Sequence, residues 1–159
     1  MGLSLAQAAM AEGKNVTFLP SYGVEVRGGT ANCTIAISDE EIASPVASSP
    51  EFVVVMNQPS LDRFQNQIAS GGLLFINSSL IETGISRGDI EIVEVAASSI
   101  AEELGSPKSA NMVMLGALIK KSNLVSISTL NEGLKDTLKN KAKLITINKK
   151  ALMAGYDLF

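Results

Sequence analysis

The chain has 159 residues, of which 46% are apolar and only 18% charged, with a net charge of −3. That length suits one domain with a proper core and is short for two. The acidic balance leaves no basic footprint for nucleic acid, no apolar run reaches the ~18 residues of a membrane span, and a single cysteine, Cys33, permits no disulfide within the chain. The charged share lies below the usual quarter of a soluble domain, which fits either surface covered by partners or a deeply buried α/β core. The N-terminus lacks the basic start of a signal peptide, so a cytoplasmic protein is expected.

Residues 3–12 carry Leu3, Ala6, Ala9 and Met10 at helical spacing, and Gly13 ends that helix. Val16 to Leu19 is a short apolar run that Pro20 stops. Residues 21–32 are rich in glycine and polar groups and read as a loop. Cys33, Ile35 and Ile37 then alternate with Thr34, Ala36 and Ser38, which predicts a strand buried on one face with an inert thiol in it. After a linker at 44–50, Phe52 to Met56 is continuously apolar and reads as an interior strand of a parallel sheet.

Ser60 is placed to cap a helix carrying Leu61, Phe64 and Ile68, ended by Gly71 and Gly72. Leu73 to Ile76 reads as a second interior strand, and Ile90, Ile92 and Val95 as a shorter one nearer an edge. Ser106-Pro107 opens a helix whose residues Ala110 to Ile119 are apolar almost all round, buried either in the domain or against another subunit. Thr129 and Glu132 suggest a capping box for a helix bearing Leu130, Leu134 and Leu138. A last helix through Leu144, Ile147 and Ala151 is expected to close at Gly155. The lysines from Lys135 to Lys150 read as a solvated helix face. Strands alternating with helices imply an α/β, Rossmann-like three-layer fold, a mostly parallel sheet with helices on both faces, in one domain over residues 1–159.

The missing chemistry is informative. There is no histidine, the commonest general base. One cysteine falls short of the four thiolates of an iron–sulfur cluster, and neither phosphate-loop fingerprint is present. The acidic pairs Asp39-Glu40-Glu41 and Glu102-Glu103 lie on polar stretches and read as solvated. No catalytic residue and no metal ligand is expected in this chain.

The segment Leu19-Pro-Ser-Tyr-Gly-Val-Glu-Val-Arg-Gly-Gly-Thr-Ala-Asn-Cys33 resembles the signature loop of the gamma domain of 2-oxoacid:ferredoxin oxidoreductases. The resemblance continues in register through Ile37-Ser38, Ile42 with Pro45, Val55 to Leu61, Gly71 to Leu73, Asn77 to Leu80, Ala110 to Met112, Leu115 to Ala117, and Asn148 to Gly155. It implies a gamma subunit that binds no cofactor itself. Thiamine diphosphate, magnesium, iron–sulfur clusters and coenzyme A would sit in partner alpha and beta subunits, with a ferredoxin-like delta subunit as a further candidate and ferredoxin as electron acceptor. The form Arg27-Gly-Gly-Thr-Ala-Asn32 is more similar to the 2-oxoglutarate branch than to the pyruvate branch.

Members of that family begin with a strand and a glycine-rich turn before the first helix. This chain begins inside that helix, at Met1-Gly2-Leu3, so either its start is an internal methionine or the first strand is lacking. The candidate partner- or active-site-facing loop comprises Ser21, Tyr22, Gly23, Glu25, Arg27, Gly28, Gly29 and Asn32. Its glycines allow close backbone approach, and Glu25 and Arg27 point the same way in an extended chain. Composition alone would make it a plain surface loop; the resemblance makes it an interface. A second candidate loop comprises Asn57, Gln58 and Ser60. The competing reading is a stand-alone Rossmann-like module that binds a nucleotide or small acid without catalysis.

Overall fold

The computed structural model describes residues 1–23, 31–44, 48–82, 84–137 and 142–159. In chain order these form α1 (Gly2–Ala11), β1 (Asn15–Tyr22), β2 (Ala31–Ser38), β3 (Phe52–Val55), α2 (Gln58–Phe64), β4 (Leu73–Asn77), β5 (Glu91–Val95), α3 (Ala97–Glu103), α4 (Ala110–Ser122), α5 (Ile127–Thr137) and α6 (Ala142–Tyr156). Short 3-10 turns extend α2 at Gln65–Gln67 and precede α4 at Pro107–Ser109.

The strands β3, β4 and β5 make a parallel sheet with β4 in the centre. Alternation sends their side chains to two separate cores. Phe75, Val93 and Val95 face a large core shared with α1, α3, α4, α5 and α6. Val55, Leu74 and Ile76 face a smaller one with Leu61 of α2, Ile68 and Ile81. Helices therefore cover both faces, as the apolar runs of β3 and β4 require. β3 is nonetheless an edge strand of this sheet, with Phe52 to Val54 only half-buried. In β5 it is Val93 and Val95 that are buried, while Ile92 is exposed.

The first two strands depart from the parallel scheme. β1 and β2 pair antiparallel in full register, Asn15 opposite Ser38 through Tyr22 opposite Ala31, and form a sheet of their own. Pro20 does not stop β1 but sits in it opposite Cys33. A two-stranded ribbon consists of edges, where proline's missing N–H is tolerated. Val16, Ile35 and Ile37 pack on the main core. Cys33 is exposed rather than buried, although its sulfur packs on Gly2 of α1, and that partial burial pushes its thiol pKa up.

Several helix ends lie elsewhere than the sequence suggests. In α1 the buried residues are Leu5, Ala6, Ala8 and Ala9, whereas Leu3 and Met10 are exposed. Gly13 does end it, at φ 80°. The helix α3 follows β5 immediately and has no clear apolar period to announce it. Met112 to Ile119 of α4 are all buried, as their unbroken apolar character demands. Gly155 does not close α6, which continues to Tyr156. Instead Gly155 lies against the Val113 carbonyl and Gly116 against the Leu152 carbonyl, so α4 and α6 cross almost backbone to backbone. Any side chain at either glycine would fill that space.

Candidate functional site

The described residues of the first candidate loop fall at the end of the β1–β2 hairpin where β1 finishes and β2 begins. Ser21 stands opposite Asn32 inside the strands, not in a loop, and Tyr22 opposite Ala31. Tyr22 is 77% exposed, so its ring offers an apolar body and a polar tip to whatever meets the hairpin. Gly23 is exposed beside it. Glu25, Arg27, Gly28 and Gly29 lie outside the described residues.

The second candidate loop lies on the other sheet, where β3 gives way to α2. Asn57 is extended (φ −153°, ψ 165°) and is the N-cap; its side-chain oxygen accepts the Ser60 N–H at 3.0 Å. Ser60 is thus the capped residue and not the cap. It is already inside the helix, whereas the capping side chain must come from the last non-helical position. Gln58 donates to Asp62 Oδ1 at 2.9 Å, along the helix, and its amide also lies beside Gly84, where an added Cβ would stand 3.4 Å from Nε2.

Asn77, at the end of β4, ties this edge together and was not singled out from the sequence as a site residue. It is fully buried. Its Nδ2 donates to the Met56 carbonyl at 3.3 Å and to Ser98 Oγ at 2.9 Å, and its Oδ1 accepts the Ser98 N–H at 3.3 Å. One amide therefore joins the carboxyl ends of β3 and β4 to the start of α3. Ser79 adds a second link, accepting the Ser99 N–H at 3.1 Å with its hydroxyl 3.0 Å from that of Ser99. An amide residue closing an apolar strand was the only signal available, and a buried polar group of this kind persists only when hydrogen-bonded.

Below this edge, at the amino end of β4, Arg87 clasps the crossover. It donates to Asp89 through Nε at 2.8 Å and through Nη2, and to the Ile68 carbonyl at 2.6 Å. The Arg87 hydrogen bonds hold the Asp89 carboxyl down to about 2.

The carboxyl edge is thus a row of neutral amides and hydroxyls: Asn57, Gln58, Asn77, Ser79, Ser98 and Ser99. In open parallel α/β sheets this edge is where ligands and partners meet the fold. Such groups can orient and recognise, but they cannot shuttle protons near neutrality or attack as activated nucleophiles. Among the described residues no group of three or more His, Cys, Asp or Glu is placed to hold a metal ion. The one cysteine of the sequence cannot supply the four thiolates of an iron–sulfur cluster.

A family model described as pyruvate ferredoxin/flavodoxin oxidoreductase matches residues 1–158. The ketoisovalerate oxidoreductase subunit VorA of Methanothermobacter thermautotrophicus is 38% identical over 99% of this chain and 33% of its own length. The chain therefore spans about a third of that relative. The 2-oxoglutarate synthase subunit KorC of Methanocaldococcus jannaschii is 31% identical over 95% of this chain and 81% of its own. The gamma subunit of a keto/oxoacid ferredoxin oxidoreductase from Geobacter sulfurreducens superposes with a TM-score of 0.82 at 25% identity, covering 98% of this chain and 87% of that one.

Proposed function

Because the chain belongs to the pyruvate ferredoxin/flavodoxin oxidoreductase family, we propose that it serves as the gamma component of a 2-oxoacid:ferredoxin oxidoreductase. The observation that carries this reading is the family match over residues 1–158. In the reaction a 2-oxoacid loses carbon dioxide, its acyl group passes to coenzyme A, and two electrons pass to ferredoxin. Thiamine diphosphate, magnesium, the iron–sulfur clusters and coenzyme A belong to alpha and beta partners, with a ferredoxin-like delta chain completing the assembly in the cytoplasm. This chain contributes shape and recognition. The hairpin end (Ser21, Tyr22, Gly23, Glu25, Arg27, Gly28, Gly29, Asn32) and the Asn57, Gln58, Ser60 turn face the catalytic subunits.

The substrate is 2-oxoglutarate on this reading, supported by the form of Arg27 to Asn32 and by the KorC relative. A branched-chain 2-oxoacid is the second reading, favoured by the 38% identity to a ketoisovalerate enzyme. Viologen reduction by the complete complex decides between them. The highest kcat/KM is expected for 2-oxoglutarate; a higher value for ketoisovalerate moves the enzyme to the branched-chain class, and no turnover with any 2-oxoacid overturns the oxidoreductase reading.

In the same assay Arg27→Ala should leave the melting temperature of the isolated chain unchanged while weakening assembly or turnover. Loss of a buried charge-assisted contact across an interface costs about 2–5 kcal/mol, whereas a solvated surface charge costs about 0.5 kcal/mol or less. Unchanged affinity and unchanged kcat would make Arg27 a plain surface residue.

A further inference from the structure

The charge of this chain is unevenly spread. Between residues 135 and 150 it carries six lysines and one aspartate, a local +5, so the remainder carries −8. A solvated helix face needs no such segregation. Two of these lysines line a groove of about 530 Å³ between the α3–α4 junction and α6. Leu104, Leu144 and Ile147 give it an apolar floor, and Lys143 and Lys150 rise from the α6 side. Among the described residues no acidic side chain lines it; Glu102 and Glu103, exposed on α3, precede the wall without entering it.

The two lysines are seven residues apart on one helix, so their stems share a face and stand about 10 Å apart. Leu144 between them is 44% exposed. The groove is held open by polar bonds underneath. Ser106 Oγ lies 2.8 Å from Ser109 Oγ, and Ser109 in turn donates to Asn148 Oδ1 of α6 at 3.1 Å. The α3–α4 junction and α6 are therefore pinned at a set spacing before anything binds.

We propose that this groove docks an acidic amphipathic segment from another subunit of the same oxidoreductase, an inference that rests on the function proposed above. Charge complementarity selects the occupant. Two cations flank an uncharged apolar floor, which matches a helix that presents apolar side chains with carboxylates about two turns apart. A nucleic acid is disfavoured, since among the described residues no aromatic side chain lines the groove to stack a base.

The test titrates the purified remaining subunits of the complex against the chain at low and high salt. The variant K143E/K150E changes two exposed residues and should melt with the parent, yet bind at least tenfold more weakly and lose much of the salt dependence. K143S/K150S serves if the reversal harms folding. K14E/R63E makes the same change in net charge away from the groove and should bind like the parent. Equal affinity of K143E/K150E and the parent overturns the groove while leaving the oxidoreductase function standing. Failure of the parent itself to bind the other subunits overturns both. Sedimentation of the chain alone covers the remaining occupant: self-association abolished by K143E/K150E would assign the groove to a second copy and overturn the proposal.

Discussion

Gly155 shows how one residue type carries opposite meanings. In the sequence it reads as a helix stop, because glycine commonly terminates helices. In the structure it is buried in α6, against the Val113 carbonyl of α4, with Gly116 making the reciprocal approach. Gly133, in α5, has nothing within 4 Å of an added Cβ. The pair makes a controlled comparison. Gly155→Ala should destabilise by about 1–3 kcal/mol, because forced separation of packed helices outweighs the ~1 kcal/mol gain in helix propensity. Gly133→Ala should stabilise by about 0.4–1 kcal/mol. Urea unfolding of both variants checks this; a stabilised Gly155→Ala would mean that the helices part without cost. Asn77 is the other residue whose role only packing reveals. Its place at the end of an apolar strand was plain, but its three hydrogen bonds come from residues about 20 positions away on either side.

Among the elements, α4 was legible because every position from Met112 to Ile119 is apolar and no other environment would accept it. The start of α5 was not. Thr129 and Glu132 look like a capping box, yet Ser126 is the capping residue, its hydroxyl accepting the Thr129 N–H at 3.1 Å. The acid of the motif comes from the C-cap of α1: Glu12 accepts the Ser126 N–H at 2.7 Å. No local pattern could announce a partner 114 residues distant. This contact lowers the Glu12 pKa, chiefly through the Ser126 N–H and then the Thr129 hydroxyl. A depressed folded value means that Glu12 stabilises the protein above its ordinary value of 4.5 and loses that contribution as pH falls through the folded value. Glu12→Gln keeps an acceptor and removes the charge. It should cost about 0.3–1 kcal/mol at pH 7, and the difference should close in denaturation curves taken at falling pH. A constant difference across that range would remove the charge from the explanation.

At the scale of the whole molecule, the α/β class and its parallel sheet followed from Phe52 to Met56 and Leu73 to Ile76, apolar runs that only a sheet covered on both faces can use. What the sequence concealed is that β1 and β2 stand apart. Alternation in Cys33 to Ser38 specifies a strand but not its partner, and pairing is a long-range choice. The candidate site was divided by the same ambiguity. Ser21, Tyr22 and Asn32 belong to the hairpin, and Asn57, Gln58 and Ser60 to the parallel sheet.

The separation of the two sheets bears on how the molecule breathes. Backbone hydrogen bonds in β4 have a strand on each side, and Leu74 and Phe75 are fully buried. Among the described residues the hairpin pairs only with itself, and β1 is exposed over most of its length. Opening free energy in a native protein follows such differences. Amide protons of β1 and β2 should therefore exchange with deuterium through a sub-global opening that leaves β4 protected, a difference readable by native-state hydrogen exchange. Equal protection in the two sheets would mean that they open as one unit. If the hairpin opens alone, the elements bearing Ser21, Tyr22 and Asn32 form the part of this chain that can rearrange against another surface while its core stays closed.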